Sequence, residues 1–257
     1  MPLELWATLS TLVPGIQFMS ATPMWWSLRR VKSPAEIHYL REACRCADAG
    51  VASGFASLRP GVTELEVSRA IGQGMLQAGA EGVAFLIVKS GTGVTNAGNK
   101  YATAKTIAPG EIVTFDVGCT VGGYGSDMIR SGCYGSPSDI IVEKQRLARE
   151  MADACLAEVR AGALISAVDD ARVRFLNDHD LGVPAYGGVG HSIGISVHEL
   201  PRIGPGIDEA LEEQMTINVE PSVRLSAAGG VAVEDTVVVT ATGYEFLTQA
   251  DRGLWRM

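Results

Sequence analysis

The sequence predicts an α+β fold made of a duplicated unit, two helices followed by strands, around an antiparallel sheet. Three observations carry this prediction. The chain has 257 residues, 47% hydrophobic and 19% charged, a balance that supports a packed core. The order helix, helix, strands occurs twice along it. Sliding the chain on itself also brings like residues together. An offset of 101 sets Gly61 on Gly162, Val67 on Val168 and Phe85 on Tyr186, 104 sets "IVTFD" on "TINVE", and 107 sets Asp127 on Glu234.

The first helix opens at "SPAE", where Ser33 caps, Pro34 suits the first turn and Glu36 closes a capping box. Ile37, Leu40, Cys44, Ala47, Val51, Phe55 and Leu58 then form one apolar stripe that ends at "RPG". Thr63 and Glu66 form a second capping box ahead of Val67, Ile71 and Met75. "VAFLIVKSG" and "IVTFDVG" read as strands bounded by Gly and Pro. Helical patterns resume over about Ser138–Arg160 and Ser166–Asn177, and strand patterns over "MTINVEP" and "GGVAVEDTVVVT". The half-repeats are therefore roughly 33–137 and 138–250.

A net charge of -8 offers no basic surface for nucleic acid or an anionic membrane. The five cysteines are an odd number in a long chain, and Cys44 and Cys46 diverge on one helix, so they read as reduced core thiols. The apolar opening from Leu3 to Trp26 is broken by Pro14, Gln17 and Pro23, and has neither a basic leader nor about 20 clean apolar residues. The expectation is a cytoplasmic protein without a membrane span.

Four carboxylates stand out. Asp116 ends an apolar strand, and Asp127 follows eleven residues later in "GGYGSDMIR", a spacing that suits a strand, a turn and a returning strand facing one cavity. Glu220 follows "MTINV" and Glu234 sits in "VAVEDTVVVT". A carboxylate on a buried strand is unfavourable unless paired or metal-bound. A single one is commonly a strand end facing water, but four at matching places of a repeat, with His191 of "GVGHSIGISVHELP" between them, point to a metal site. Oxygen ligands with one imidazole suit Mn, Fe(II) or Co(II), and this much negative charge fits two ions better than one.

Asp116, Asp127, His191 in "GHSIG", Glu220 in "NVEP" and Glu234 in "VED" resemble the five-ligand set of the pita-bread metallopeptidases, the family of methionine aminopeptidase, proline dipeptidase, aminopeptidase P and creatinase. The resemblance spans roughly residues 33–250. It implies the pita-bread fold and two divalent ions, manganese first, with cobalt, iron or zinc as alternatives. Asp116 would hold one ion, Asp127 and Glu234 would bridge both, and His191 and Glu220 would complete the second. A water held between the ions would be the nucleophile, with Glu220 taking its proton. His198 in "VHELP" resembles a second histidine that meets the scissile carbonyl.

There are three departures from the family pattern, the last two of which bear on the substrate. Ser192 stands where relatives carry glycine, Lys100 where many have a substrate-contacting histidine, and Ala232 where proline-directed relatives often have arginine. Residues 1–32 resemble a linker at the end of a missing amino-terminal domain, with 33–257 as the catalytic domain, and Trp25, Trp26 and Leu28 are expected to pack against something. The leading expectation is a homodimeric hydrolase of small peptides, like an Xaa-Pro dipeptidase or aminopeptidase. The alternatives are a creatinase-like hydrolase of a small non-peptide amide and a non-catalytic binding protein on the same fold.

Overall fold

The structure is a computed structural model that describes residues 2–91, 101–182, 188–226 and 229–257. Two helices, α1 (Leu3–Leu12) and α2 (Thr22–Arg30), precede the first half, where the sequence reads only as a linker. The prolines explain the difference. Pro23 lies in the first turn of α2 and Pro14 directly follows the C-cap of α1, so each delimits a helix instead of interrupting one. Of the α2 side chains expected to pack against something, Trp26 is half-buried on this chain, while Trp25 and Leu28 are 55% and 70% exposed. Arg29, which lies over the Trp26 ring, and Arg30 tie α2 to the domain through polar contacts.

The first half comprises α3 (Pro34–Ala56), α4 (Glu64–Gln77), β1 (Gly82–Ser90), β2 (Ile112–Val121), β3 (Tyr124–Gly125) and β4 (Met128–Cys133). Both expected capping boxes form: Ser33 N donates to Glu36 at 2.8 Å and Thr63 N to Glu66 at 2.9 Å. The stripe of α3 buries Val51 and Phe55 against the sheet, and the Phe55 ring lies 4.3 Å from that of Phe115 and 4.8 Å from that of Trp255. Burying one such ring contributes about 1.5–3 kcal/mol.

The second half repeats the order with α5 (Asp139–Leu156), α6 (Ile165–Asp178), β5 (Gly190–Ser192), β6 (Glu199–Ile203), β7 (Thr216–Val219), β8 (Ser222–Ser226), β9 (Gly229–Ala232), β10 (Asp235–Val239) and β11 (Tyr244–Phe246). A last strand, β12 (Trp255–Arg256), returns to pair with β4. One sheet runs β1-β2-β4-β12 with β3 on β2, and the other runs β11-β10-β7-β5-β6. Within them β1-β2-β4 and β5-β7-β10 are matching antiparallel triplets. The triplets meet where β4 adjoins β10, Glu234 N donating to Ile129 O at 3.3 Å.

Each half keeps its own core, Val51, Ile71, Phe115 and Met128 in the first, Met151, Val168, Ile217 and Val237 in the second. The five cysteines are free and buried, as expected of core thiols. Among the described residues no helix is long and apolar enough to cross a membrane.

Candidate metal centre

The duplicated topology delivers the carboxylates in pairs to the seam. Asp116 lies within β2, opposite Ile87 of β1 and Ile129 of β4, and Asp127 directly precedes β4. Glu220 directly follows β7, and Glu234 lies in the break between β9 and β10 that divides "GGVAVEDTVVVT" into two strands. His191 is the middle residue of β5, opposite Asn218 of β7 and Arg202 of β6. The stretch "GVGHSIGISVHELP" therefore contains strand β5, which its glycines concealed. Gly190 is needed there because a Cβ would collide with the carbonyl oxygen of Asn218 on β7.

Donor atoms within 4.8 Å of one another form three overlapping groups: Asp116, Asp127 and Glu234; His191, Glu220 and Glu234; and Asp127, His191 and His198. All five sequence-predicted ligands and His198 are thus brought together, whereas Lys100 lies outside the described residues. Ala232 is buried in β9. The six residues line a cavity of about 470 Å³ whose other wall is Ala84, Phe85, Leu86, Ile87, Tyr101 and Val197.

Carboxylates crowded out of water resist ionisation. Burial pushes Glu220 up to about 7, with the His191 ring pulling it down and the Asp127 charge adding to the rise. Glu234 is raised further, first by burial and then by the charges of Asp127, Glu220 and Asp116. For His191 burial opposes the charged form, but the hydrogen bond and charge of Asp127 outweigh it and the net shift is upward. The His191 Nδ1 lies 3.0 Å from the Ser192 carbonyl, which only accepts, so Nδ1 carries a proton. On the neutral ring the Nε2 lone pair then faces Asp127 Oδ2 at 3.4 Å and Glu220 Oε1 at 3.8 Å.

The donor set suits hard divalent cations. Asp127 Oδ1 is buried without a hydrogen-bond partner among the described residues. No arginine or lysine lines the cavity among those residues. A cation from outside would fill both gaps.

Two supporting residues escape the sequence reading. Asn218 Nδ2 donates to Glu234 Oε1 at 2.8 Å, and the Thr236 hydroxyl is shared between Asp127 O at 3.0 Å and Asn218 Oδ1 at 2.9 Å. The available signal was the period of two, which puts Asn218 on the face of β7 that leads to Glu220. The apolar wall of β1 carried no signal beyond an ordinary strand.

The family model for Metallopeptidase family M24 matches residues 38–241. Among curated proteins, an Xaa-Pro dipeptidase of Lactobacillus helveticus is 35% identical over 231 residues, which cover 88% of this chain and 62% of that protein. An Xaa-Pro dipeptidase of Pyrococcus furiosus is 29% identical, covering 88% and 65%. The chain thus spans less than two thirds of the length of these relatives. Among solved structures, an Xaa-Pro dipeptidase from Bacillus anthracis superposes with a TM-score of 0.92 at 30% identity, covering 100% of this chain and 72% of the other. An X-Pro aminopeptidase from Thermotoga maritima gives 0.91 at 28%, covering 100% and 73%.

Proposed function

Because the chain belongs to metallopeptidase family M24, we propose that it hydrolyses an amide bond in small peptides with proline after the scissile bond, using two divalent ions. The observation that supports this most is the overlap of the donor groups, in which Asp127, Glu234 and His191 each stand twice; carboxylates shared in this way suit two adjacent cations. Asp116 would hold one ion, His191 and Glu220 the other, and Asp127 and Glu234 would serve both. When bound, the ions supply an activated water and polarise the scissile carbonyl.

The protein's own groups divide the remaining work. Glu220, which lines the cavity beside His191, accepts the proton released during attack. His198, exposed on the cavity and packed against His191 with ring centroids 4.1 Å apart and the rings tilted by 38°, donates to the carbonyl oxygen as negative charge develops there. The β1 wall from Ala84 to Ile87, with Val197, receives an apolar side chain and excludes water. We further propose manganese as the ion, a homodimer, residues 33–257 as the catalytic unit, and a cytoplasmic setting, the last supported by five buried free thiols.

A second reading, a small non-peptide amide, is favoured by the lack of arginine or lysine among the described cavity-lining residues. Among the described lining residues a peptide carboxylate would find no arginine or lysine. Loading with manganese and assaying Xaa-Pro dipeptides, longer Xaa-Pro peptides and Met-initiated peptides separates the two. Proline-dependent turnover supports the first reading. Metal binding without peptide turnover moves the assignment to the second, and failure to bind metal overturns both.

A further inference from the structure

Directly behind His198 lies a second group of buried charges. Glu199 is 3% exposed, and both its oxygens are committed. Oε1 accepts from the Arg29 guanidinium and, at 3.2 Å, from Ser196 N, while Oε2 accepts from the Lys32 ammonium at 3.1 Å. Lys32 is itself 1% exposed. Arg29 also donates to Ser196 Oγ at 3.1 Å and is backed by the Trp26 ring 5.0 Å away.

The loop that carries His198 is wound onto this carboxylate. Gly194 N donates to Ser196 O at 3.1 Å, and a Cβ on Gly194 would sit 2.7 Å from Glu199 Oε2. Its far side is pinned to the first sheet, Gly125 N donating to Gly194 O at 2.8 Å. Consecutive residues at the start of a strand point to opposite faces. Fixing Glu199 toward α2 therefore fixes His198 toward the cavity, where it meets His191.

Buried ion pairs contribute little net stability, and apolar replacements of similar volume are often neutral or better. Their benefit is direction. We propose that Glu199, held by Arg29 and Lys32, is a positioning residue for His198, so that residues preceding the catalytic unit set the geometry of the site.

This inference rests on the substrate-facing role of His198, and its test needs a readout independent of turnover. Arg29 suits the test because its side chain is 16% exposed, unlike that of Lys32 at 1%. In the metal-free protein the imidazole carbon-proton NMR signals of His198 are assigned by their loss in His198→Ala, and then compared between wild type, Arg29→Ala and Arg29→Lys. The expected result is a displaced or broadened His198 signal in Arg29→Ala, unmoved signals of His38 and His179, and partial recovery in Arg29→Lys. With manganese, Arg29→Ala lowers kcat about 10-fold with KM and metal content held, the usual effect of losing a supporting partner. In the His198→Ala background the same substitution changes kcat no further. An unmoved His198 signal overturns the proposal, as does an equal fall in kcat with and without His198. If wild type hydrolyses no peptide, the NMR comparison alone decides, and the proposed activity fails separately.

Discussion

Glu234 and Asp235 are neighbours in the chain, both about 1% exposed or less, and they are treated in opposite ways. Asp235 accepts from Arg130 Nη2 at 2.5 Å, from Arg252 Nε at 2.7 Å and from the Thr248 hydroxyl at 3.0 Å, so its charge is neutralised inside the fold. The Glu234 side chain accepts from the Asn218 amide, and it shares its space with Asp116, Asp127 and Glu220. Where a charge serves the architecture, the chain supplies the counter-charge. Where it is withheld, the fold is completed by a cation from outside.

The comparison breaks most sharply at the shared carboxylates. Asp127→Ala or Glu234→Ala removes a group that serves both proposed ions, so metal loading and hydrolysis are lost together, measured by metal analysis and peptide assay. Across the chain bond the effect is on folding. Arg130→Ala leaves Asp235 buried with one arginine and lowers stability by about 3–5 kcal/mol in chemical denaturation. At the cavity mouth, His198→Ala slows turnover by about 10²–10³-fold while metal content stays intact. Metal loss in that variant would make His198 a ligand, which its closeness to Asp127 and His191 permits.

Acid sharpens the same contrast. Glu220, Glu234 and His191 all have raised proton affinity in the folded protein. Their stabilising contribution is full below the unfolded values and is lost as pH rises through the folded ones. The metal-free protein therefore loses thermal stability as pH rises from about 4.5 to about 7, the span of Glu220, and manganese opposes the trend because binding takes the deprotonated ligands. Melting curves with and without chelator check this. The smallest effect concerns Ser192, whose buried hydroxyl has no partner among the described residues. Ser192→Ala should raise stability by about 1 kcal/mol in denaturant titration.

The sequence made the site more legible than its supports. Capping boxes at Ser33 and Thr63 use local hydrogen bonds, and carboxylates on apolar strands stand out by their unfavourable burial, so both could be read without knowing what they touch. Asn218 and Thr236 matter only through partners on other strands, and β5 is three residues of "GHS" whose pairing with β7 depends on Gly190. The first two helices were missed partly because the prolines that delimit them read as interruptions, and partly because neither fully buries a side chain. Leu3 and Leu12 are 77% and 72% exposed, and an apolar helix that buries nothing has no core stripe to read.

The most direct test of the difference between Glu234 and Asp235 is the number of manganese ions bound per chain, titrated calorimetrically at about pH 8, where the site carboxylates are most readily ionised. Two ions in wild type, falling to one or none in Glu234→Gln, is the predicted result. A wild-type protein that binds no manganese, or a Glu234→Gln variant that still binds two, would contradict it.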